Sequence, residues 1–427
     1  MTGTETVGTT AVTTTVDPTT TTTTGVVSTG TDSDGTTGTT GDTDTDTGVM
    51  EPCKPGDNMM GMIKQSLIWV PVTDQGTITK IDTITMTDLA RYRSGPNTGN
   101  DAESPSRTAV SADGRFVVVN NRRTNRSTMI AANIEDCIDK NNNGMIETSA
   151  NPANILAWGT DECVIWSTTY TWDGNFIHGA RGVTWTPGEW DEELCQWVEP
   201  KLWIGYHKGG GIATFVRLDG MTGAVELTID NPGWISNGDY APYGAALDPQ
   251  FRPWFGALRG EIARVNTDED PVTVTRWTLP ANILSYGFTV DKEGHPWMAG
   301  YPSAVSTFDP DTQQVYSVPG TATGAYLRGI AIDNNFQVWA ASNSPCRLVQ
   351  VDGKSKTLVA FHNLPNCNTA IGPSVDLEGF LWVVDYQQKV WKIDTKDVPG
   401  AKTLALPGLH YVYSDMTGGQ LLSVIPL

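Results

Sequence analysis

Short runs of alternating apolar and polar residues follow one another along the chain from about residue 66 onward. Runs such as SAVSTFD, QQVYSVP and KTLALP have the two-residue period of half-buried β-strands. Gly, Pro, Asn and Asp separate them, as expected for tight turns between short strands. The pattern therefore predicts an all-β fold.

One phrase recurs within this pattern. It reads YGAALDPQFRPWFGA at 243–257, YGFTVDKEGHPWMAG at 286–300, RGIAIDNNFQVWAAS at 328–342 and IGPSVDLEGFLWVVD at 371–385. An Asp precedes a Trp by six residues in each copy, and successive Asp residues lie 43, 42 and 43 positions apart. Weaker copies occur at 107–118 and at 181–186, the latter resuming at 201–207 after an insertion. A period of about 40 residues with four short strands per unit is typical of a β-propeller.

The repeats predict a seven-bladed β-propeller with four-stranded blades, closed by pairing of the N- and C-terminal segments. One residue marks each blade at the recurring position: Trp69, Val118, Trp203, Trp254, Trp297, Trp339 and Trp382. A single blade cannot bury its apolar faces, so stability requires stacking of neighbours and ring closure. Rings of six or eight blades remain alternatives, because the divergent copies can be counted differently.

The repeated phrases, together with IWVPVTDQGTITKIDT near the start, resemble the streptogramin (virginiamycin B) lyase-like propellers of bacteria and the YVTN and NHL repeat propellers. The resemblance covers roughly residues 60–420 and implies the propeller fold. For a lyase it also implies a His base and acidic metal ligands three residues after the Trp of each blade. The corresponding positions here are Val72, Tyr206, Ala257, Gly300, Ser342 and Asp385. Since Asp385 is the single acid among them, the sequence favours a non-catalytic protein.

Composition separates the chain into two parts. Residues 1–52 are rich in Thr, Gly and Asp, have too few apolar side chains to form a core, and predict a disordered stalk. Residues 53–427 form the predicted propeller. The net charge of −20 argues against binding to nucleic acid, whose phosphates such a surface repels. No apolar run is long enough for a membrane span. The stalk resembles the tethers of bacterial surface lipoproteins, which predicts an extracellular or cell-surface location and leaves open a lipid anchor upstream.

The segment DKNNNGMIE at 139–147 begins like a calcium loop. Oxygen-bearing side chains alternate and a glycine follows at the sixth position, as in EF-hand loops. The predicted calcium ligands are Asp139, Asn141, Asn143, the carbonyl of Met145, and Glu147. Ala150 occupies the position of the usual terminal glutamate. The alternative is a turn rich in Asn and Gly that binds no metal.

Six cysteines without a CxxC spacing favour disulfides over a zinc site. Proximity along the chain predicts that Cys137 pairs with Cys163 and that Cys346 pairs with Cys367. The remaining Cys53 and Cys195 would then pair with each other. The first bridge would close an insertion between Arg122 and Arg181 that contains the calcium-like loop.

The residue that opens each copy of the phrase, five positions before the Asp in the four strong copies, enters the innermost strand of its blade at one mouth of the central channel. Polar and aromatic members of this set make a candidate ligand-binding site: Arg107, Arg181, Tyr243, Tyr286, Arg328 and His410. Arginine suits a carboxylate or phosphate, and tyrosine supplies a ring face and a hydroxyl. We therefore expect a secreted or surface-anchored module that binds a small anion or a protein partner. The alternative is a metal-dependent lyase acting at the same mouth.

Overall fold

Antiparallel meanders of short strands make up the computed structural model, which describes residues 64–235, 240–322 and 324–424. The predicted stalk and Cys53 lie outside these residues. The sheets form a seven-bladed β-propeller, as the repeats predict. Within the described ranges, no helix combines the length and the apolarity that crossing a bilayer requires.

Blades 1 to 3 are the less regular part of the ring. Blade 1 contains three strands, blades 2 and 3 contain four each, and a two-stranded hairpin is inserted into blade 3. Their bounds are β1 (Leu67–Val72), β2 (Thr77–Asp82), β3 (Thr87–Arg93), β4 (Pro105–Val110), β5 (Phe116–Asn121), β6 (Arg126–Ala131), β7 (Val164–Thr169), β8 (Val183–Thr186), the hairpin strands β9 (Glu189–Asp191) and β10 (Gln196–Val198), β11 (Lys201–Gly209), β12 (Ile212–Asp219) and β13 (Val225–Pro232).

Blades 4 to 7 are uniform, and in each the strands pair in chain order from the channel outwards. Their bounds are β14 (Gly244–Leu247), β15 (Pro253–Gly256), β16 (Glu261–Asn266), β17 (Thr273–Thr278), β18 (Gly287–Val290), β19 (Pro296–Ala299), β20 (Ser306–Asp309), β21 (Gln314–Ser317), β22 (Leu327–Ile332), β23 (Gln337–Asn343), β24 (Cys346–Asp352), β25 (Thr357–Asn363), β26 (Ala370–Val375), β27 (Leu381–Asp385), β28 (Gln387–Asp394) and β29 (Asp397–Leu409). A short helix, α1 (Gly419–Leu422), follows.

The repeated Asp and Trp of blades 4 to 7 form a hydrogen-bonded clamp. In blade 6, one carboxylate oxygen of Asp333 accepts the indole N–H of Trp339 at 2.9 Å. The other oxygen accepts the backbone N–H groups of Asn335 and Gln337, both at 2.9 Å. The same contacts recur in the other three blades, with indole-to-carboxylate distances of 2.8–3.0 Å. The six-residue spacing thus joins the turn between the first two strands to the Trp packed behind it.

Each tryptophan also joins its blade to the next one. Trp254 of blade 4 packs with Phe288 and Met298 of blade 5, and Trp382 of blade 7 packs with Ile68 and Val70 of blade 1. Because apolar burial scales with the area removed from water, these interfaces are the main stabilising contribution of the repeat. The contact between blades 7 and 1 closes the ring.

Closure is completed by the segment that follows β29. The backbone N–H of Trp69 donates to the carbonyl of Met416 at 2.9 Å, so this segment takes the innermost position of blade 1. It also reaches blade 2, where Ser414 Oγ accepts the N–H of Thr108 at 2.7 Å. The predicted pairing of the two ends is therefore confirmed, although the closing segment is an irregular chain and not a regular strand.

Two of the three predicted disulfides lie within the described residues and are confirmed. Cys137 is bonded to Cys163 and Cys346 to Cys367. Cys195 is also disulfide-bonded, and Cys53, the partner predicted for it, lies outside the described residues. The Cys137–Cys163 bridge spans the chain between β6 and β7, where the predicted insertion occurs.

Candidate functional site

Five of the six predicted mouth residues come together around one end of the channel. A glycine follows four of the six predicted mouth residues and also follows Ile371, at the equivalent position of blade 7. Its role is steric: a Cβ at Gly287 would lie 2.3 Å from the carbonyl oxygen of Arg328. A Cβ at Gly372 would lie 2.2 Å from the carbonyl oxygen of Val412 in the closing segment. The innermost strands therefore approach too closely for any side chain, and the preceding residues are drawn in to the channel axis.

Arg107 is at the centre of this cluster and is 1% exposed. Its guanidinium carbon lies 3.2 Å from the ring centroid of Tyr413 and 4.9 Å from that of Tyr243. Its Nε donates to the carbonyl of Tyr243 at 3.2 Å and one terminal nitrogen donates to Ser106 Oγ at 2.8 Å. Ring faces and neutral oxygens, rather than a carboxylate, thus surround this charge.

Arg181 and Arg122 are held in a similar way. Arg181 donates to the carbonyls of Ile177 and Gly179 at 3.1 and 2.9 Å. Arg122 donates to Ser104 Oγ at 2.6 Å and lies 4.5 Å from the ring centroid of Tyr411. Burial lowers the pKa of Arg181, and the neighbouring positive charges of Arg122 and Arg107 lower it further. The lowered pKa thus reflects burial first and the nearby positive charges second.

Four tyrosines form a hydroxyl hub beside the arginines. The hydroxyl of Tyr411 is hydrogen-bonded to that of Tyr243 at 2.8 Å, to that of Tyr286, and to that of Tyr413 at 3.2 Å. Burial raises the pKa of Tyr411 to about 12. Burial also acts to raise the pKa of Tyr243, but the charges of Arg107 and Arg181 outweigh it and lower that pKa to about 8. Arg107 and Arg181 therefore favour a negative charge at Tyr243.

No carboxylate of the described chain balances these cations. Within 64–235, 240–322 and 324–424, none of Arg107, Arg122, Arg181 and Arg328 has a carboxylate oxygen within 4.0 Å. Buried nitrogens of three of them, Nη2 of Arg107 and Nε of Arg181 and Arg328, have no acceptor. Buried charges in proteins are normally paired. This arrangement therefore has unused capacity for an anion.

His410, the sixth predicted residue, is directed elsewhere. Its Nδ1 donates to the carbonyl of Pro71 at 3.0 Å, so the ring is turned towards blade 1. The residues that the sequence did not single out are Arg122, Tyr411 and Tyr413. Tyr411 and Tyr413 alternate with His410 and Val412 along the closing segment, which was the available signal.

From the sequence, the glycines at 209–211 predict that His207 lies on the surface, and the structure shows that this prediction is wrong. His207 is fully buried, because β11 extends to Gly209 and its end lies beneath the loop that carries His178. The two imidazole rings lie 4.3 Å apart. Nδ1 of His178 is 2.8 Å from a carboxylate oxygen of Asp173, and the N–H of Gly209 donates to His207 Nδ1 at 3.1 Å.

Asp385, the single acid at the positions implied by the lyase resemblance, serves the backbone. Its oxygens accept the N–H groups of Asn368 and Gln387, each at 2.9 Å, and the side chain is fully buried. Among the described residues, one grouping of a histidine with two carboxylates occurs, at Asp291, Glu293 and His295. It belongs to the turn between β18 and β19, at the end of the strands opposite the arginines.

The calcium-like loop gathers its oxygens around one turn. Asp139 accepts the N–H groups of Asn143 and Gly144 at 3.2 and 2.8 Å. Asn143 Oδ1 accepts the N–H of Met145 at 2.8 Å, and Glu147 accepts the amide groups of Asn141 and Asn143 at 2.8 and 2.6 Å. All five predicted ligand residues are thus parts of one turn.

Glu162, next to the disulfide, also contacts this loop. Its carboxylate accepts the N–H groups of Lys140 and Glu147 at 2.7 and 2.9 Å. It therefore brings a second glutamate to the loop, and this glutamate comes from outside the linear motif.

Comparison with solved structures agrees with the fold. The chain is similar to virginiamycin B lyase from Staphylococcus aureus, with 14% identity, a TM-score of 0.46, and coverage of 71% of this chain and 84% of that one. It is also similar to apo AztD from Citrobacter koseri, with 9% identity, a TM-score of 0.50, and coverage of 82% and 97%. A functionally unknown protein from Desulfotomaculum acetoxidans DSM 771 gives 12% identity, a TM-score of 0.54, and coverage of 82% and 100%. No protein-family model matches the chain. No curated protein matches it in sequence. At these identities the similarity concerns the propeller fold.

Proposed function

We propose that this propeller is an extracellular or cell-surface binding protein that takes a small anionic ligand at the channel mouth lined by arginines and tyrosines. The observation that carries the proposal is the group of four arginines without a carboxylate partner. A buried guanidinium that loses hydration without gaining a counter-charge is costly, and an anion reduces that cost. The disulfides support an oxidising location.

Carboxylates are the ligand class that fits this mouth best. Guanidinium groups bind planar oxyanions through paired N–H groups, and tyrosine hydroxyls donate further hydrogen bonds to them. Arg328 is the member of the cluster nearest to solvent, since it is half-buried while Arg107 and Arg181 are fully buried. We therefore assign Arg328 the first contact with the ligand.

Calorimetric titration with acetate and with inorganic phosphate tests the proposal. The wild-type protein is expected to bind at least one of them saturably, and Arg328→Gln should weaken that binding about tenfold or more. Arg217→Gln is the matched control: it removes the same charge from a surface residue that is paired with Glu226 at 3.0 Å. Equal weakening by both variants, or no saturable binding by the wild type, would overturn the proposal.

We also propose that the loop at 139–147 binds calcium as a structural ion. Asp139, Asn141, Asn143 and Glu147 supply side-chain oxygens and Met145 supplies a carbonyl, a ligand set that calcium prefers. The convergence of these groups on one turn, with Glu162 beside them, supports this assignment. Such an ion would order the insertion that the Cys137–Cys163 bridge already closes, without taking part in ligand binding at the mouth.

A further inference from the structure

Two exposed tyrosines form an aromatic shelf beside the arginine cluster. Tyr301 follows β19 and Tyr326 precedes β22, so both lie at the same end of the strands as the mouth residues. Their ring centroids are 3.9 Å apart with an interplanar angle of 14°. They remain 41% and 38% exposed. Stacking covers one face of each ring and leaves apolar surface open to solvent at the rim of the channel.

Backbone hydrogen bonds hold Tyr326, one member of the shelf, in place. The N–H of Tyr326 donates to the carbonyl of Ser344 at 2.9 Å, and its carbonyl accepts the N–H of Asn343 at 3.1 Å. Two tyrosine side chains that are held in contact have already lost rotational freedom. A rigid aromatic surface of this kind binds a flat ligand at a low cost in conformational entropy.

A positive charge adjoins the shelf. The guanidinium carbon of Arg328 lies 4.3 Å from the ring centroid of Tyr286, and its Nε has no hydrogen-bond acceptor. The contact with Tyr326 raises the pKa of Tyr301, and the charge of Arg328 acts in the opposite direction. Arg328 also follows Tyr326 by two residues at the start of β22, so the guanidinium and the shelf lie at the same rim of the channel.

We infer that the anion bound at the mouth carries a six-membered ring, which packs on the outer face of the stacked Tyr301–Tyr326 pair while its carboxylate contacts Arg328. Hexuronic acids and aromatic carboxylic acids share this chemistry. The inference rests on the proposed function, since it takes Arg328 as the anion contact. It adds the class of ligand, because acetate or phosphate can contact the Arg328 guanidinium but has no ring to pack on the shelf.

Titration with four compounds tests this class: acetate, glucuronate, benzoate and neutral glucose. Packing of a ring on the tyrosine pair adds to the affinity that the charge supplies, so glucuronate or benzoate should bind about fivefold more tightly than acetate. Which of the two binds more tightly distinguishes a sugar acid from an aromatic acid. Glucose binding as tightly as glucuronate would overturn the inference, since the charge would then be irrelevant.

Three variants locate the effect. Tyr301→Ala should bring the ratio of the glucuronate and acetate affinities close to one, and Tyr301→Phe should preserve the ratio because it keeps the ring. Tyr316→Ala removes another exposed tyrosine, on β21 of blade 5, and should also preserve the ratio. If acetate binds and neither cyclic acid binds more tightly, the ring class is wrong and the proposed function stands. If inorganic phosphate binds but none of the acids does, the ring class is wrong and the proposed function stands; if neither phosphate nor any acid binds, both are wrong.

Discussion

Blades 4 to 7 and blades 1 to 3 reach the same architecture by different means. The first group repeats one device, the Asp–Trp clamp, four times with nearly the same distances. In the second group, the residue at the tryptophan position and its hydrogen bonding differ from blade to blade. In blade 2, Val118 replaces the tryptophan, and Trp185 of blade 3 donates its indole N–H to the carbonyl of Ala109 at 3.0 Å. In blade 1, the buried indole nitrogen of Trp69 has no acceptor among the described residues.

This difference separates the blades that stabilise the ring by a repeated hydrogen-bonded clamp from the blades that supply most of the channel arginines. The clamped blades supply Tyr243, Tyr286 and Arg328 to the channel, whereas blades 2 and 3 supply Arg107, Arg122 and Arg181 and carry the long insertions. The cluster therefore forms where the regular and irregular parts of the ring meet. The repeated blades provide a rigid frame, and the irregular blades provide three of the four arginines that lack a carboxylate partner.

The largest expected effect concerns the two disulfides, one in each part of the ring. Replacing Cys137 and Cys163 by serine should lower the free energy of unfolding by about 3–4 kcal/mol, because the bridge closes 26 residues of insertion. Replacing Cys346 and Cys367 should cost about as much, since that loop has 21 residues. Denaturant unfolding measures both. A negligible loss for the first pair alone would show that the insertion is ordered by something other than the bridge.

The clamp itself gives the next largest effect. Asp333→Ala removes the acceptor of the Trp339 indole N–H and the acceptor shared by two backbone N–H groups of the turn. We therefore expect the free energy of unfolding to fall by about 3 kcal/mol. Asp113→Ala is the matched change in blade 2, where the carboxylate accepts the Ser111 hydroxyl at 2.6 Å and the exposed N–H of Arg115 at 3.1 Å. Its expected cost is about 1 kcal/mol. Equal losses would contradict the distinction between clamped and unclamped blades.

These elements also show what the sequence could predict. The Asp–Trp spacing lies within one turn and two strands, so the linear pattern predicted the blades and the ring. Arg122, Tyr411 and Tyr413 were missed because they lie outside the repeated phrase. Tyr411 and Tyr413 reach the channel from the irregular closing segment, and their alternation with His410 and Val412 was the signal that could have identified them. His207 was misjudged because nearby glycines suggested an exposed turn, whereas the strand continues to Gly209.

A smaller effect is expected from calcium in the irregular part of the ring. At a calcium concentration about ten times the dissociation constant, linkage predicts a stabilisation of about 1 kcal/mol. Thermal unfolding with added calcium and with a chelator measures it. Asp139→Asn removes a charge from the loop and should abolish the difference, while Asp219→Asn, on β12, should retain it. An unfolding temperature that does not respond to calcium would contradict the assignment.

The smallest effect concerns Tyr243 of blade 4, which lies beside Arg107 of blade 2 and Arg181 of blade 3. Tyr243 has a pKa of about 8, because Arg107 and Arg181 favour its ionised form over the cost of burial. As the pH rises from 7 to 9, the tyrosinate should neutralise part of the cluster and weaken acetate binding by roughly fivefold. The same depressed pKa favours the folded state as the pH rises from about 8 towards 10, and this gain is lost when the pH falls through 8.

Tyr243→Phe should make acetate affinity independent of pH between 7 and 9. Tyr286→Phe should keep the dependence, since burial raises the pKa of Tyr286 well above its usual value and that hydroxyl stays protonated. Acetate affinity in the wild type that stays constant from pH 7 to 9 would mean that Tyr243 does not compete with the ligand, and the anion would then lie outside the reach of Arg107 and Arg181.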